Sequence, residues 1–275
     1  MRGSRLLSRG ALAIVLAAYT IWQLGPFVWV AVMSLRTTPE ILRDHYALPA
    51  SPRWSNYVDA WTQSNYGTYF WNSAAVVVAS VVVLVVVGAT AAHCLARYRF
   101  PGNRLILVAI FSTIMLPPQI TLISLFQVMV EYGLFDSRFG LVLVYVGTQI
   151  PLTVYLLEAF FARIPQDLFD AAKIDGYSEL EIFWRIALPI ATPAVVTAVI
   201  VNFVLLWNEF LYAVVLISDD SRRTLPLGIQ KFMGDQFSDV AMIATGAMIS
   251  IVPVILLYVL FSEKVIQGMT AGAVK

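Results

Sequence analysis

The 275-residue sequence reads as an all-α integral membrane protein with six transmembrane helices. Apolar residues make up 59% of it and charged residues only 13%, about half the charge of a water-soluble domain. Mean hydropathy is +0.78, an apolar excess that no single soluble core hides. The charges are also clustered: no Asp, Glu, Lys or Arg occurs in 10–35, 60–96, 105–130, 139–157, 186–208 or 240–262. Each gap is close to or longer than the roughly 20 residues that span a bilayer as a helix.

The first expected helix, 10–35, follows Arg2, Arg5 and Arg9, which resemble the basic start of a signal peptide. Its apolar run exceeds the about 7–15 residues of a signal core, and no small-residue cleavage site follows, so it is expected to be retained. The external segment 36–69 is punctuated by Pro39, Pro49 and Pro52. Its Trp54, Tyr57, Trp61, Tyr66 and Tyr69 suit an aromatic belt at the membrane surface, or a docking surface for an external partner. The second helix is expected at 70–96. In the third, 105–130, Pro117-Pro118 is expected to bend or break the helix. The fourth, 139–159, is the shortest, with Glu158 at its cytoplasmic end. The fifth is placed at 191–217 and the sixth at 240–262, with an external loop 218–239 between them. All of 1–275 is expected to form one transmembrane domain.

Orientation follows from the basic residues. With the N-terminus inside, inner segments hold Arg2, Arg5, Arg9, Arg97, Arg99, Arg104, Arg163, Lys173, Arg185, Lys264 and Lys275. Outer segments hold only Arg36, Arg43, Arg53, Arg138, Arg222, Arg223 and Lys231. Both termini are therefore expected in the cytoplasm.

Several function classes are excluded. A net charge of +1 offers no basic footprint for nucleic acid. A single cysteine, Cys94, gives neither a disulfide nor a thiolate cluster, and with His45 and His93 as the only histidines no metal site is expected. The chain has no GxxxxGK[ST], HExxH or GxSxG sequence, so no phosphate-cradling loop, zinc motif or nucleophile elbow, and no catalytic residue is expected. No internal repeat is visible, which weighs against a duplicated secondary transporter.

The most informative stretch is 163–189. Pro165 suits a first helical turn, and Leu168, Ala171, Ala172 and Ile174 are expected to give a short helix its apolar face. Gly176 suits the left-handed stop residue, and Ser178 with Glu181 forms a capping box that restarts a second helix. Leu180, Ile182, Phe183 and Ile186 are expected to carry that helix on until Pro189 interrupts it. On periodicity alone two readings stand: a surface for a groove on another protein, or an amphipathic hairpin on the headgroups.

Asp170-Ala171-Ala172, then Gly176, then Ile186-Ala187-Leu188-Pro189 resembles the EAA signature of binding-protein-dependent ABC importer permeases, with Asp170 where Glu is usual. Asn72-Ser73, Arg97-Tyr98-Arg99-Phe100-Pro101-Gly102, Leu116-Pro117-Pro118-Gln119, Trp207-Asn208-Glu209 and the tail Gly268–Lys275 are similar to the maltose-type carbohydrate branch of that family. The resemblance runs from about residue 10 to the end. It implies the type I ABC importer permease architecture in a bacterial or archaeal cytoplasmic membrane. It implies partners: a second homologous permease, two ATP-binding subunits that hold ATP and Mg, and an extracytoplasmic solute-binding protein. No cofactor is expected in this chain. By matched position, Asp170, Ala171, Ala172, Gly176, Ile186, Leu188 and Pro189 become the coupling segment docked in a cleft of an ATP-binding subunit.

Polar groups in the fifth helix have a second claim on function. Asn202 and Glu209, seven apart, are expected on one face, with Trp207 and Asn208 elsewhere. Amide, carboxylate and indole groups suit a sugar, and with Gln119 they are the candidate substrate path. Helix-to-helix hydrogen bonding is the other reading for Glu209, Gln119 and Gln149. In 218–239, Arg222, Arg223, Gly228 and Gly234 are the candidate contacts to a binding protein, or parts of a solvated connector. An ion-coupled secondary transporter of a small polar solute is the alternative function; it leaves 163–189 unexplained and has only Glu209 and Glu158 as intramembrane carboxylates.

Overall fold

The computed structural model describes residues 2–233 and 239–273, with side chains described for 10, 12–233 and 239–261. Every regular element among the described residues is helical. In chain order these are α1 (Arg2–Ser34), α2 (Thr38–Arg43), α3 (Ser55–Thr62), α4 (Tyr66–Arg97), α5 (Asn103–Thr113) and α6 (Pro118–Glu131). Next come α7 (Arg138–Phe161), α8 (Gln166–Ile174), α9 (Glu179–Ile182), a π turn (Phe183–Ala187) and α10 (Leu188–Ile190). The last are α11 (Thr192–Trp207), α12 (Leu211–Leu216), α13 (Leu225–Ile229) and α14 (Val240–Ala273). Gly234 and the tail residues Val274 and Lys275 lie outside the described residues.

Among the described residues four helices are long and apolar enough to cross a membrane: α1, α4, α7 and α14. Two bent pairs bring the number to six, α5 with α6 at 98° and Glu179–Ile190 with Thr192–Trp207 at 77°. The first bend falls where Pro117 and Pro118 remove two backbone donors, as expected. The second does not fall at Pro189. Leu188 N–H bonds back to the Phe183 carbonyl, and that π turn carries the helix past the proline until the break at Ala191. A further gap at Asn208–Phe210 separates α11 from α12, so the expected continuous fifth helix is two pieces.

The chain forms two compact units, one of 1–67 with 228–252 and the other of 68–227 with 253–275. In the first, the Asn56 amide donates to the carbonyls of Ser34 and Arg36 at 2.8 and 2.9 Å. The Thr38 hydroxyl donates to Asp239 at 2.6 Å and accepts from the Ala241 N–H, which fixes the start of α2 to the start of α14. A Cβ at Gly246 would stand 2.7 Å from the Tyr66 hydroxyl, so only glycine lets these elements meet.

The second unit has two polar ends. At one, the Asn72 amide donates to the carbonyls of Ser221 and Arg223, both at 2.9 Å, and its oxygen accepts from Arg138 at 2.7 Å. Tyr69 donates to Asp220, and Asp136 accepts from the N–H groups of Ser218 and Asp219. These contacts gather the starts of α4 and α7, the chain after α6 and the chain after α12. At the other end, Arg97 donates to Gln166, Tyr98 to Glu179, and the Asn103 amide to the Leu95 and Tyr98 carbonyls. Here the end of α4, the start of α5 and the loop 163–189 meet. Each bent pair thus begins at one end and finishes at the other, the geometry of a broken crossing and not of a re-entrant loop. Between the ends the packing is made by small residues: Ala89, Ala92, Ala194 and Ala198 are buried, and a Cβ at Gly88 would come 2.6 Å from Thr153. Small side chains allow close helix approach where lipid offers no hydrophobic contrast.

Candidate functional site

The loop 163–189 is a built surface element. Pro165 takes the N-cap position with ψ 138°, and α8 starts at Gln166. Its inward face differs from the expected one. Phe169 and Ala172 are buried, whereas Leu168, Ala171 and Ile174 are exposed, Ile174 at 87%. At 100° per residue Phe169 and Ala172 share one side, so an anchor stripe and a separate exposed apolar stripe run along the same short helix. Gly176 is left-handed, φ +86°, and ends α8 as expected. The capping box is complete: the Ser178 hydroxyl accepts from the Glu181 N–H, and the Glu181 carboxylate accepts from the Ser178 N–H at 3.0 Å. Those Ser178 bonds hold the Glu181 carboxyl below its ordinary range.

In the second short helix, Ile182, Phe183 and Ala187 are buried, Ile186 and Leu188 half-buried, and Leu180, Trp184 and Pro189 exposed. Asp170 is exposed and accepts from the Gln166 amide at 2.9 Å. Gln166 accepts in turn from Arg97, whose guanidinium lies 3.6 Å over the Phe169 ring. Glu179 ties both short helices together, pairing with Lys173 at 2.6 Å and accepting from Tyr98. The Lys173 ammonium, then the Tyr98 hydroxyl, hold the Glu179 carboxyl below its usual range. Burial, then the Glu179 carboxylate, push the Tyr98 hydroxyl up to about 12. Under this lies His93 among Phe161, Phe169 and Phe183, ring centroids 5.2–5.9 Å away.

The candidate path residues do not share one environment. Asn202 is fully buried, its amide donating to Thr153 at 3.0 Å and to the Ala198 carbonyl, with Oδ1 left without a partner among the described residues. Trp207 is 2% exposed, stacked on Phe203 and edge-on to Phe70. Both are packing residues here. Glu209 is half-buried in the gap after α11; its carboxylate accepts from the Tyr145 hydroxyl at 2.7 Å and from the N–H groups of Tyr212 and Ala213. That matches the helix-to-helix reading, with the addition that Glu209 serves the otherwise orphaned donors at the start of α12. Because the helix stops at Trp207, the shared face expected for Asn202 and Glu209 does not exist. Asn208, which donates to the Val204 carbonyl, and Gln119 are exposed.

In the external loop, Arg222 is paired with Asp136 at 3.2 Å and Asp219 at 3.8 Å. Arg223 stands 3.6 Å from Asp220, an ion-pair distance too long for a hydrogen bond, and Gly228 is buried. The Ser221 N–H lowers the Asp219 carboxyl.

Sequence reading missed Arg97, Tyr98, Gln166, Phe169 and Glu179 as parts of the loop's seat, and Tyr145 as the partner of Glu209. Arg97 and Tyr98 signalled orientation and the family resemblance but no contact, and a separation of 69 residues from Arg97 to Gln166 leaves no periodic trace. Among the described residues no three of His, Cys, Asp and Glu stand close enough to hold a metal ion.

A family model described as Binding-protein-dependent transport system inner membrane component matches residues 84–266. The chain is 34% identical to the diacetylchitobiose uptake system permease protein NgcG of Streptomyces coelicolor, over 94% of this chain and 86% of that one. It is 35% identical to the trehalose transport system permease protein SugB of Mycobacterium tuberculosis, over 92% and 93%. In fold it is similar to a chain of a bacterial ABC transporter involved in the import of the acidic polysaccharide alginate, with TM-score 0.81, 22% identity, and 96% and 98% of the two chains covered.

Proposed function

Because the chain belongs to the family of binding-protein-dependent transport system inner membrane components, the permease subunits of sugar ABC transporters, we propose that it moves a sugar or sugar-like solute through the inner membrane by alternating access. ATP hydrolysis is assigned to two partner subunits that hold ATP and Mg. A second permease completes the pathway, and an extracytoplasmic binding protein delivers the solute. The observation that carries this reading is the exposed loop 163–189. Asp170, Ala171, Gly176 and Pro189 face outward on it, while Ala172 and Ala187 pack inward. A rigid knuckle seated on the helix ends, with bulky apolar groups left in water, suits a cleft on another protein. When two ATP-binding subunits close, the docked knuckle moves with them, and differential contact energy between the two states does the work.

Asp170, Ala171, Ala172, Gly176, Ile186, Leu188 and Pro189 are assigned to coupling. Gln119 and Asn208 are the groups left open to a solute, while Asn202, Trp207 and Glu209 hold helices together. Arg222 and Arg223, fixed on the polar end of the second unit, are assigned with Gly228 to contact with the binding protein. The sodium- or proton-coupled alternative has lost support, since Glu209 is committed to Tyr145 and α12. The test is purification of the tagged chain from its native host, followed by reconstitution. Co-isolation of ATP-binding subunits and vanadate-sensitive uptake are expected; uptake by this chain alone under a proton gradient would overturn the proposal.

A further inference from the structure

The loop 163–189 is covalently continuous with α7 before it and α11 after it. It has no chain connection to α4, yet α4 is where its polar contacts go. Arg97, the last residue of α4, donates to Gln166 at the first position of α8 and covers the Phe169 ring at 3.6 Å. Gln166 continues to Asp170 at 2.9 Å. Tyr98, the next residue, donates to Glu179, which holds Lys173 at 2.6 Å, so one carboxylate joins α4, α8 and α9. One turn earlier, His93 is packed against rings from α7, α8 and the π turn. These contacts come from both halves of the knuckle and converge on one helix end.

We infer that Arg97 and Tyr98 are positioning residues that transmit displacement of the coupling knuckle into α4, making α4 a driven helix alongside α7 and α11. The inference rests on the proposed coupling role of the loop. The physical reason is the cost of the alternative. If α8 and α9 moved while α4 stayed, the Arg97–Gln166 and Tyr98–Glu179 bonds would break and Arg97 would leave its ring. Charge-assisted bonds of this kind are among the strongest polar contacts, so the knuckle and the end of α4 travel as one body.

Cys94, exposed and the only cysteine, lies one turn before Arg97 and reports on α4 directly. The complete complex, reconstituted with cysteine-free partner subunits, is treated with a membrane-permeant maleimide without nucleotide and after trapping with ATP and vanadate. In the unaltered chain the Cys94 labelling rate is expected to change on trapping by about tenfold, the population shift worth one charge-assisted hydrogen bond. In Arg97→Met/Tyr98→Phe the change is expected to shrink to within about twofold, with ATP-binding subunits still bound and ATP still hydrolysed. Tyr98→Phe alone, which removes one oxygen, is expected to fall between. A full response in the double variant overturns the inference, as does no response in the unaltered chain. Loss of the ATP-binding subunits from Tyr98→Phe also overturns it, because the contact would then shape the docking surface instead. Failure of those subunits to bind the unaltered chain would sink the coupling assignment itself.

Discussion

Glu209 illustrates how a single residue distinguishes a transport role from a structural one. Its two carboxylate oxygens take three donors, the Tyr145 hydroxyl and the N–H groups of Tyr212 and Ala213. Removing a side chain that caps a helix start costs about 1 kcal/mol, and leaving buried donors unmade adds to it. Glu209→Ala is therefore expected to destabilise the detergent-purified protein by about 2–3 kcal/mol, and Glu209→Gln, which keeps one acceptor oxygen, by about 1 kcal/mol. Tyr145→Phe is expected to cost about 1 kcal/mol in the unaltered chain and almost nothing once Glu209→Ala is present, since the two share one contact. Denaturant unfolding of the four variants reads this directly. Additive losses, or a Glu209→Gln protein as stable as the original but unable to transport, would move Glu209 from the scaffold to the solute.

At the scale of elements, what was legible in the sequence depended on the range of the interaction. Gaps between charges located the apolar helices, because the cost of a charge in hydrocarbon is paid residue by residue. Local chemistry also showed through: the Gly176 stop, the Ser178–Glu181 box and the Pro117-Pro118 break all arise within four residues. The inward face of α8 did not show, because Phe169 and Leu168 are equally apolar and the choice between them is made by residues distant in the chain, Arg97 and His93 among them. The gap after Trp207 was hidden for the same reason, as it is sustained by Tyr145 on another helix. The turn between α8 and α9 gives the sharpest element-level expectation. A Cβ at Gly176 meets nothing within 4 Å, so a substitution there costs only its left-handed φ of +86°. Gly176→Ala is expected to cost about 1 kcal/mol, Gly176→Asn less, and Gly176→Val more. Gly176→Asp belongs with Asn on this backbone. Limited proteolysis of the loop should rank the variants in that order; equal sensitivity in all of them would mean that the turn is not limited by φ.

For the whole molecule the decisive quantity is the number of crossings, because it fixes which face every loop occupies. Within the second unit α4, the α5–α6 pair, α7 and the α11–α12 chain each run from one polar end to the other. With α1 and α14 six crossings are expected, and an even number would place both termini on the side of the loop 163–189. Basic residues choose the side. In this unit Arg97, Arg99, Arg104, Arg163, Lys173 and Arg185 cluster at the knuckle end, against Arg138, Arg222 and Arg223 at the other. That local bias is steeper than the chain-wide one, and the knuckle is expected in the cytoplasm. Single cysteines introduced in a Cys94→Ser background make this measurable with a membrane-impermeant maleimide on intact cells. Ser51→Cys and Tyr132→Cys are expected to label from outside, and Arg99→Cys and Asp175→Cys only after permeabilisation. The Tyr132 position carries the most weight, since it follows the 98° bend. If α5–α6 dipped in and returned, Tyr132→Cys would behave like Arg99→Cys, the count would drop to an odd number, and the contacts of Arg97 with Gln166 and of Tyr98 with Glu179 would join chain segments that the membrane keeps apart.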